Sequence, residues 1–394
     1  RKVKELVLED GTKFNFKIIG NNPGVGYCKD LIMPTVAKEK PDCFGVLLDS
    51  LTEERCIPIL NKRNDIEILS FGELYNKYKF VEGIKTLSVR YEKEKGAHKL
   101  VSEWKEIKGI ERRFVENHKI CNISQKYGNT RTTEKHSLKI LESDELKDVT
   151  PHDILKNNKD LLRIDYIPAK ERKYAKDNKY FDFIDYLNLN IFDYDDKFIW
   201  LRNKYNSTSR LNRFLTSEEL QSLVTIIGAY VAEGCINEYG SNYAFIISNN
   251  DRDWLLKLKE DIRIALKKEA FLSNKIEENK TYNLTLFSEL IYNVFEELCG
   301  KGSRQKKFPG FIYELDETTQ IEFLKTMIKG DGHNWEEYKK DKNKFSNKGM
   351  RFSYTTISLK LISCLSYLLQ QLRIQYSLGH VPGKEDYNIT STIQ

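Results

Sequence analysis

A short helical motif occurs twice in this chain, and it constrains the fold more than any other feature. The first copy is Ile226-Ile227-Gly228-Ala229-Tyr230-Val231-Ala232-Glu233-Gly234. It is an apolar run with a small residue mid-face that ends in a carboxylate and a glycine. The second, Leu324-Lys325-Thr326-Met327-Ile328-Lys329-Gly330-Asp331-Gly332, lies about a hundred residues downstream. Thr216 and Glu219 predict a capping box at the start of the first helix. Leu220, Leu223, Ile226, Ile227, Tyr230 and Val231 then recur at helical spacing. The second helix is predicted from Asp316, with Ile321, Leu324, Met327 and Ile328 on one face. Gly228 and Thr326 hold the same motif position, where a small residue lets two helix backbones come close. Helices paired there bring Glu233 and Asp331 side by side. Adjacent carboxylates repel unless a divalent cation lies between them, the arrangement that metal-assisted phosphodiester hydrolysis needs. The plain alternative, two core helices each ending in an acid-Gly cap, accounts for one copy better than for two.

The paired motifs resemble those of LAGLIDADG homing endonucleases. The run Gly302-Ser303 to Lys307-Phe308-Pro309, then Phe323-Leu324 and Gly330-Asp331-Gly332, resembles the inter-repeat segment of intein-borne members. The resemblance implies an α+β domain over 216–394 built from two αββαββα repeats, 216–300 and 316–394, with a curved sheet over the major groove. The elements predicted inside it fit. They are two strands across Cys235–Asn250, a helix from Asp251 to Lys268 and a strand Thr281–Leu286. A helix Leu290–Leu298, strands near Arg351–Ile357 and Tyr387–Thr390, and a helix Leu359–Leu372 follow. It further implies Glu233 and Asp331 as catalytic metal ligands, Mg²⁺ as the cofactor, and double-stranded DNA as partner, at a long asymmetric site in a host gene. Lys307 is the candidate to polarise the attacking water; otherwise it is a surface lysine.

The first half reads differently. Val3 to Ile19 alternates around Asp10-Gly11 as a hairpin would, and Val46-Leu47-Leu48 reads as a short strand. Ser50-Leu51-Thr52-Glu53-Glu54-Arg55-Cys56-Ile57-Pro58-Ile59-Leu60 resembles the opening block of inteins from family B DNA polymerases. A strand Asp65–Leu69 and a "G-E-L" turn at Phe71–Tyr75 continue it, and Gly128 to Ser137 matches its T-x-x-H block. Asp153–Leu155, Asp160–Leu162 and Ile167-Pro168 are similar to its closing strand. Residues 50–168 thus resemble the N-terminal part of a β-rich Hint splicing domain, and 1–49 a flanking, extein-like segment. The resemblance implies Ser50 as the nucleophile on the Asp49-Ser50 bond, Thr133 as orienting or oxyanion partner and His136 as general acid, with no cofactor for splicing. Cys56 is the competing nucleophile. Its immediate run into Ile57-Pro58-Ile59-Leu60 favours Ser50.

Residues 169–215 join the two halves. Lys170, Arg172, Lys173, Lys176 and Lys179 interleave with Tyr174, Tyr180, Phe181, Phe183 and Tyr186, as in a groove for a phosphate backbone. A solvated helix with its own small core reads equally well. A chain of 394 residues with 40% hydrophobic content supports two or three packed domains. A net charge of +6 permits polyanion binding without arguing for it. The seven cysteines show no CxxC pair, as in reduced thiols of an intracellular, cytoplasmic protein. No run is apolar enough for a membrane span, and a monomer is expected. The sequence starts at Arg1, as a fragment or processed chain does. Neither the second repeat's closing helix nor the His-Asn block of inteins is found, which sets splicing by this chain alone apart from the family pattern. Two other readings remain: a splicing element with a passenger endonuclease fold, or a DNA-binding module without catalysis.

Overall fold

The computed structural model describes residues 3–7, 13–17, 51, 53–78, 81–94, 97–110, 112, 120–125, 128–143, 145–157, 167, 174, 180–202, 209–274, 281–334, 350–380 and 386–393. Strands β1 (Val3–Val7) and β2 (Lys13–Lys17) form the expected hairpin, with Val3 opposite Lys17. Strands β3 (Cys56–Leu60), β4 (Ile66–Ser70), β5 (Lys85–Glu94) and β6 (Ala97–Glu106) make an antiparallel sheet in the order β4-β3-β5-β6. Helix α1 (Phe71–Lys77) replaces the turn expected there. Ser70 and Glu73 cap it reciprocally, Glu73 N–H donating to Ser70 Oγ at 3.1 Å and Ser70 N–H to Glu73 Oε2 at 2.7 Å. Two hairpins follow, β7 (Ile120–Gln125) with β8 (Gly128–Thr133), and β9 (Leu138–Glu142) with β10 (Glu145–Val149).

Asp153-Ile154-Leu155, expected in a closing strand, lie instead in helix α2 (Pro151–Asn157). The reason is local: Pro151 opens the helix, and Asp153 N–H donates to Thr150 Oγ1 while Thr150 N–H donates to Asp153 Oδ2. Asp160–Leu162, Pro168 and Val46–Leu48 lie outside the described residues.

The described residues of 181–202 and 209–215 are short strands and one 3-10 turn (Phe183–Tyr186), where a solvated helix is one expectation. Strand β11 (Phe181–Asp182) pairs with β15 (Phe214–Leu215), and β12 (Phe192–Tyr194), β13 (Phe198–Leu201) and β14 (Leu211–Asn212) form a second small sheet. Arg213 locks the two sheets, donating to Asp182 Oδ2 at 2.7 Å from Nη2. Phe181 and Phe183 are buried. Phe181 stacks on Tyr186 at 5.4 Å and meets Phe311 edge-on at 4.8 Å. Tyr180 stays exposed, whereas Lys170, Arg172, Lys173, Lys176 and Lys179 lie outside the described residues.

The second half holds two copies of one scheme. Helix α3 (Ser217–Glu233) leads into β16 (Gly234–Tyr239) and β17 (Asn242–Asn249). Helix α4 (Arg252–Leu266), β18 (Phe271–Leu272), β19 (Tyr282–Phe287) and helix α5 (Glu289–Cys299) complete the first copy. Helix α6 (Glu317–Asp331), β20 (Gly332–Asn334), β21 (Met350–Thr356), helix α7 (Leu359–Gln371), β22 (Tyr376–His380) and β23 (Tyr387–Ile393) repeat it. Both sheets are antiparallel with the same order, β16-β17-β19-β18 and β20-β21-β23-β22. Register matches too: Gly234 pairs with Ile247 as Gly332 pairs with Tyr354. Side-chain caps set each helix start, from Thr216, Asp251, Ser288, Asp316 and Ser358.

One apolar core runs through both copies and into the first half, where Leu60, Ile66 and Ile68 join it. A Cβ on Gly310 would stand 2.1 Å from the Ile66 carbonyl oxygen, so only glycine lets these segments touch. Lys360 on α7 also ion-pairs with Glu73 on α1.

Helices α3 and α6 pack side by side at the centre. A Cβ built on Gly228 would stand 3.1 Å from Thr326 Cβ and 3.2 Å from the Phe323 carbonyl oxygen. A Gly228→Leu variant therefore overpacks the helix pair. It is expected to lose on the order of 1–3 kcal/mol in urea denaturation of the full chain, and an unchanged midpoint would show that the helices are not held at this point.

Candidate active site

Glu233 is the last residue of α3 and Asp331 the last of α6. One turn before the ends, Gly228 meets Thr326. At the ends, a Cβ on Gly330 would fall 2.5 Å from Ala232 Cβ and 3.1 Å from Glu233 Cγ. The helices therefore run in the same direction and finish together, which sets the two acids at neighbouring tips. Gly234 and Gly332 end these helices, though not by the left-handed turn usual for a glycine C-cap. Their φ values are −85° and −92°, so each helix passes straight into a strand. Glycine is needed because a Cβ on Gly234 would lie 2.6 Å from Tyr230 Cα, and one on Gly332 2.6 Å from Ile328 Cα.

The electrostatics follow from this geometry. Burial and then the charge of Asp331 raise the Glu233 carboxyl, against an Asn249 Nδ2 hydrogen bond to its Oε1 at 3.0 Å. Asp331 is open to solvent on its outer side, yet the protein beneath it raises its carboxyl too, and Lys306 opposes that rise. Tyr354, buried below, is also raised, first by burial and then by the two acids. Parallel helix ends add the partial negative charge of two sets of terminal carbonyls.

Lys306 answers that charge. Its Nζ donates to the carbonyls of Tyr230 at 3.0 Å, Val231 at 2.9 Å and Ala232 at 3.2 Å, closing the end of α3. It is half-buried, and burial lowers its ammonium while Asp331, and more weakly Glu233, hold it up. The sequence pointed to Lys307, but the structure puts Lys306 at the acids. Lys307 faces away, where its charge adds to the larger effect of Lys360 in keeping Glu73 ionised. In an extended segment, neighbouring side chains point to opposite sides. Among the described residues no cluster of three or more His, Cys, Asp or Glu side chains could hold a metal. Two hard carboxylates held together with rising pKa fit one face of a Mg²⁺ site whose other ligands are water or phosphate oxygen.

Of the splicing residues, Ser50 lies outside the described residues. Thr133 ends β8, buried, and its Oγ1 has no hydrogen-bond partner among the described residues. His136 N–H donates to the Thr133 carbonyl at 3.1 Å, so the two form one tight turn. Leu51 makes an antiparallel bridge to Thr132, which joins the opening block to this turn. Cys56 sits within β3 opposite Ser70, and burial pushes its thiol up to about 11. Its environment suits a packed thiol better than a nucleophile.

No family model matches the chain. It is 30% identical over 135 residues to a DNA polymerase II large subunit of Thermococcus kodakarensis, covering 34% of this chain and 7% of that protein. Over 199 residues it is 29% identical to a probable phosphoenolpyruvate synthase of Methanocaldococcus jannaschii, covering 44% of this chain and 16% of that protein. A replication factor C small subunit of the same organism is 27% identical over 134 residues, covering 31% and 7%. The chain thus spans a small fraction of the length of these relatives. Among solved structures it is similar to the homing endonuclease I-DmoI, at 13% identity and a TM-score of 0.31 over 44% of this chain and 90% of that one. It is also similar to the homing endonuclease I-WcaI bound to its DNA recognition sequence, at 14% identity and a TM-score of 0.30 over 44% and 76%.

Both acids have pKa values raised on folding, so their contribution to stability is present below the ordinary carboxylate range and is lost as pH rises through the raised values. Without divalent metal, the double variant Glu233→Gln/Asp331→Asn is therefore expected to melt higher than wild type at pH 7, with the difference vanishing below about pH 4. Added Mg²⁺ should raise the wild-type melting temperature and leave the variant unmoved. Equal melting curves at pH 7 would show that the acids are not crowded.

Proposed function

We propose that this chain is a site-specific, Mg²⁺-dependent DNA endonuclease of the homing type, carried within a protein-splicing element. The observation that carries the reading is the pair Glu233 and Asp331 at touching helix tips with Lys306 beside them. A bound divalent cation supplies charge neutralisation at the phosphate and a more acidic water. The chain's own residues do the rest. Glu233 and Asp331 hold the metal face, and Asn249 fixes the Glu233 carboxylate. Lys306, its ammonium already held at the acids, polarises the attacking water and offsets charge developing on the phosphate. The repeated sheets offer a two-part surface for one duplex, and the partner is double-stranded DNA at a long asymmetric site.

A second observation favours the splicing half of the reading. The matched proteins carry unrelated names, a polymerase subunit, a synthase and a replication factor, and each is matched over a small fraction of its length. An element inserted into different hosts leaves that pattern. The Leu51–Thr132 bridge, which ties the residue after Ser50 to the strand ending at Thr133, supports the assignment of Thr133 and His136 to that block.

The endonuclease is tested with Mg²⁺ and a duplex bearing the uninterrupted gene of the protein whose flank is residues 1–49. Cleavage of both strands is expected, and Glu233→Gln or Asp331→Asn should abolish it while DNA binding stays within a few-fold. Either variant cutting both strands at the wild-type rate would sink the two-acid assignment. For splicing, hydroxylamine is expected to release a fragment ending at Asp49 from the wild-type chain. The Ser50→Ala and His136→Ala chains should release much less. Equal release from Ser50→Ala, or cleavage at Arg55-Cys56, would overturn Ser50 as the nucleophile.

A further inference from the structure

The segment carrying Lys306 has no helix or strand of its own, so something outside it must decide which of two adjacent lysines faces the acids. The peptide joining Lys306 to Lys307 is gripped at both ends. Its N–H donates to the Cys299 carbonyl at 3.0 Å, and its C=O accepts from the Ser358 hydroxyl at 2.7 Å. Cys299 closes α5 and Ser358 opens α7, so the two grips come from different repeats. With both made, the segment cannot roll about its own chain axis, and a half-turn roll, which reverses the carbonyl and the side chains together, would exchange the directions of the two lysines.

Ser358 is fully buried, and its hydroxyl is shared. It accepts from Leu361 N–H at 3.0 Å as the cap of α7 and donates its single proton to Lys306. Its own N–H donates to Thr356 Oγ1 at 3.1 Å, which ties the cap to the end of β21. An ordinary cap needs only the acceptor, so the cap alone does not account for the donated bond. Helix α7 is seated in turn on the first-half sheet, through the core shared with Leu60, Ile66 and Ile68 and through the Lys360–Glu73 pair.

We propose that Ser358 is the positioning residue for Lys306. Its hydroxyl clamps the Lys306–Lys307 peptide so that the Lys306 ammonium, and not that of Lys307, is delivered to Glu233 and Asp331. The role in cleavage rests on the reading of these acids as the metal-binding pair, whereas the clamp itself does not. Through this one hydroxyl the second repeat sets the cation that caps the first repeat's helix.

The test uses the full chain, labelled with ¹⁵N-lysine, without DNA. Lysine ammonium protons exchange slowly enough to be seen near neutral pH only when shielded by hydrogen bonds, and three carbonyls surround Lys306. A wild-type ammonium cross-peak that disappears in Lys306→Met is expected. It should also disappear in Ser358→Ala and in Ser358→Gly. Alanine removes only the hydroxyl but is a poor N-cap, whereas glycine removes the whole side chain and is a tolerated N-cap, so the pair of variants separates the clamp from the cap. Ser288→Ala, which removes the cap of α5, should keep the peak despite a comparable loss of melting temperature. A wild-type spectrum with no peak sensitive to Lys306→Met, or a Ser358→Gly spectrum that retains it, would overturn the proposal. With cleavable DNA, Ser358→Gly should lower single-turnover cleavage on the order of tenfold to a hundredfold with unchanged DNA affinity. A lost peak with no cleavage in any variant, wild type included, would leave the clamp standing and remove the endonuclease reading.

Discussion

The close approach of α3 and α6 is the constraint on which the rest depends. Two helices can run parallel at this distance only where side chains are nearly absent, and Gly228 against Thr326 and Gly330 against Ala232 provide that at two successive levels. Parallel packing is electrostatically unfavourable at its ends, because like dipole ends and two carboxylates meet there. The dispersion and burial along the pair outweigh that penalty. Tyr230 stacks on Phe245 at 5.4 Å, and Phe323 meets Phe308 at 5.0 Å. The penalty is therefore concentrated at the tips as an uncompensated negative site, which Lys306 relieves only in part.

That pair was legible in the sequence because everything it needs is local and periodic. Helical spacing, a capping box at Thr216 and Glu219, an Asp316 cap and a small residue at matching positions leave few other arrangements. The helices of both repeats and the strands near Thr281–Leu286, Arg351–Ile357 and Tyr387–Thr390 follow from the same signals, with ends shifted by up to three residues. The short strands Phe271–Leu272 and Gly332–Asn334 and the strand Tyr376–His380 are not among the expected elements. Lys306 was not legible. Choosing it over Lys307 needs the direction of a peptide set by Cys299 and Ser358, one near in sequence and the other 52 positions away. The turn expected after β4 is a helix held by the Ser70–Glu73 capping box, an S-x-x-E signal the sequence carries but which the turn reading did not use. Residues 169–215 stay open between two readings in the sequence because aromatic and basic interleaving looks alike in a groove and in a small β core. Only burial tells them apart, and Phe181 and Phe183 are buried.

The two halves of the chain share a core more than a boundary between them suggests. Ile66 lies against Gly310 with no room for a side chain, Arg63 reaches Asp185 at 3.3 Å, and Lys360 pairs with Glu73. The exposed ion pairs contribute little each, but the apolar burial is continuous from β3 and β4 to α7. Mechanical support for the acid pair therefore comes partly from the first half, through α7 and the Ser358 cap. Cutting the chain between the halves would expose this apolar surface, so neither half is expected to keep its full stability alone.

Equal backbones here carry unequal chemistry. The register places Ile247 and Tyr354 opposite Gly234 and Gly332, and two residues on, Asn249 and Thr356 stand at corresponding strand ends. Both accept from the N–H of the next helix's cap residue, Asn249 Oδ1 from Asp251 and Thr356 Oγ1 from Ser358, but only Asn249 has a second group, its Nδ2, with which it also grips Glu233. The strand faces turned away from the helices diverge further. The first presents Tyr239, Phe271 and Phe287, each more than half exposed, around the half-buried Asn237, Ser248, Asn283 and Thr285, and the second presents Ser353, Thr355 and Thr390. A face edged with exposed aromatic rings and a hydroxyl-rich face make different contacts with base edges, the rings adding contact with thymine methyl groups to what donors and acceptors can read. Two covalently joined repeats can diverge in this way while a symmetric dimer cannot, since every substitution in a dimer is made twice. Under the proposed function, the duplicated fold thus supplies the helix pair that needs symmetry, and the single chain supplies the two unlike surfaces that an asymmetric DNA site requires.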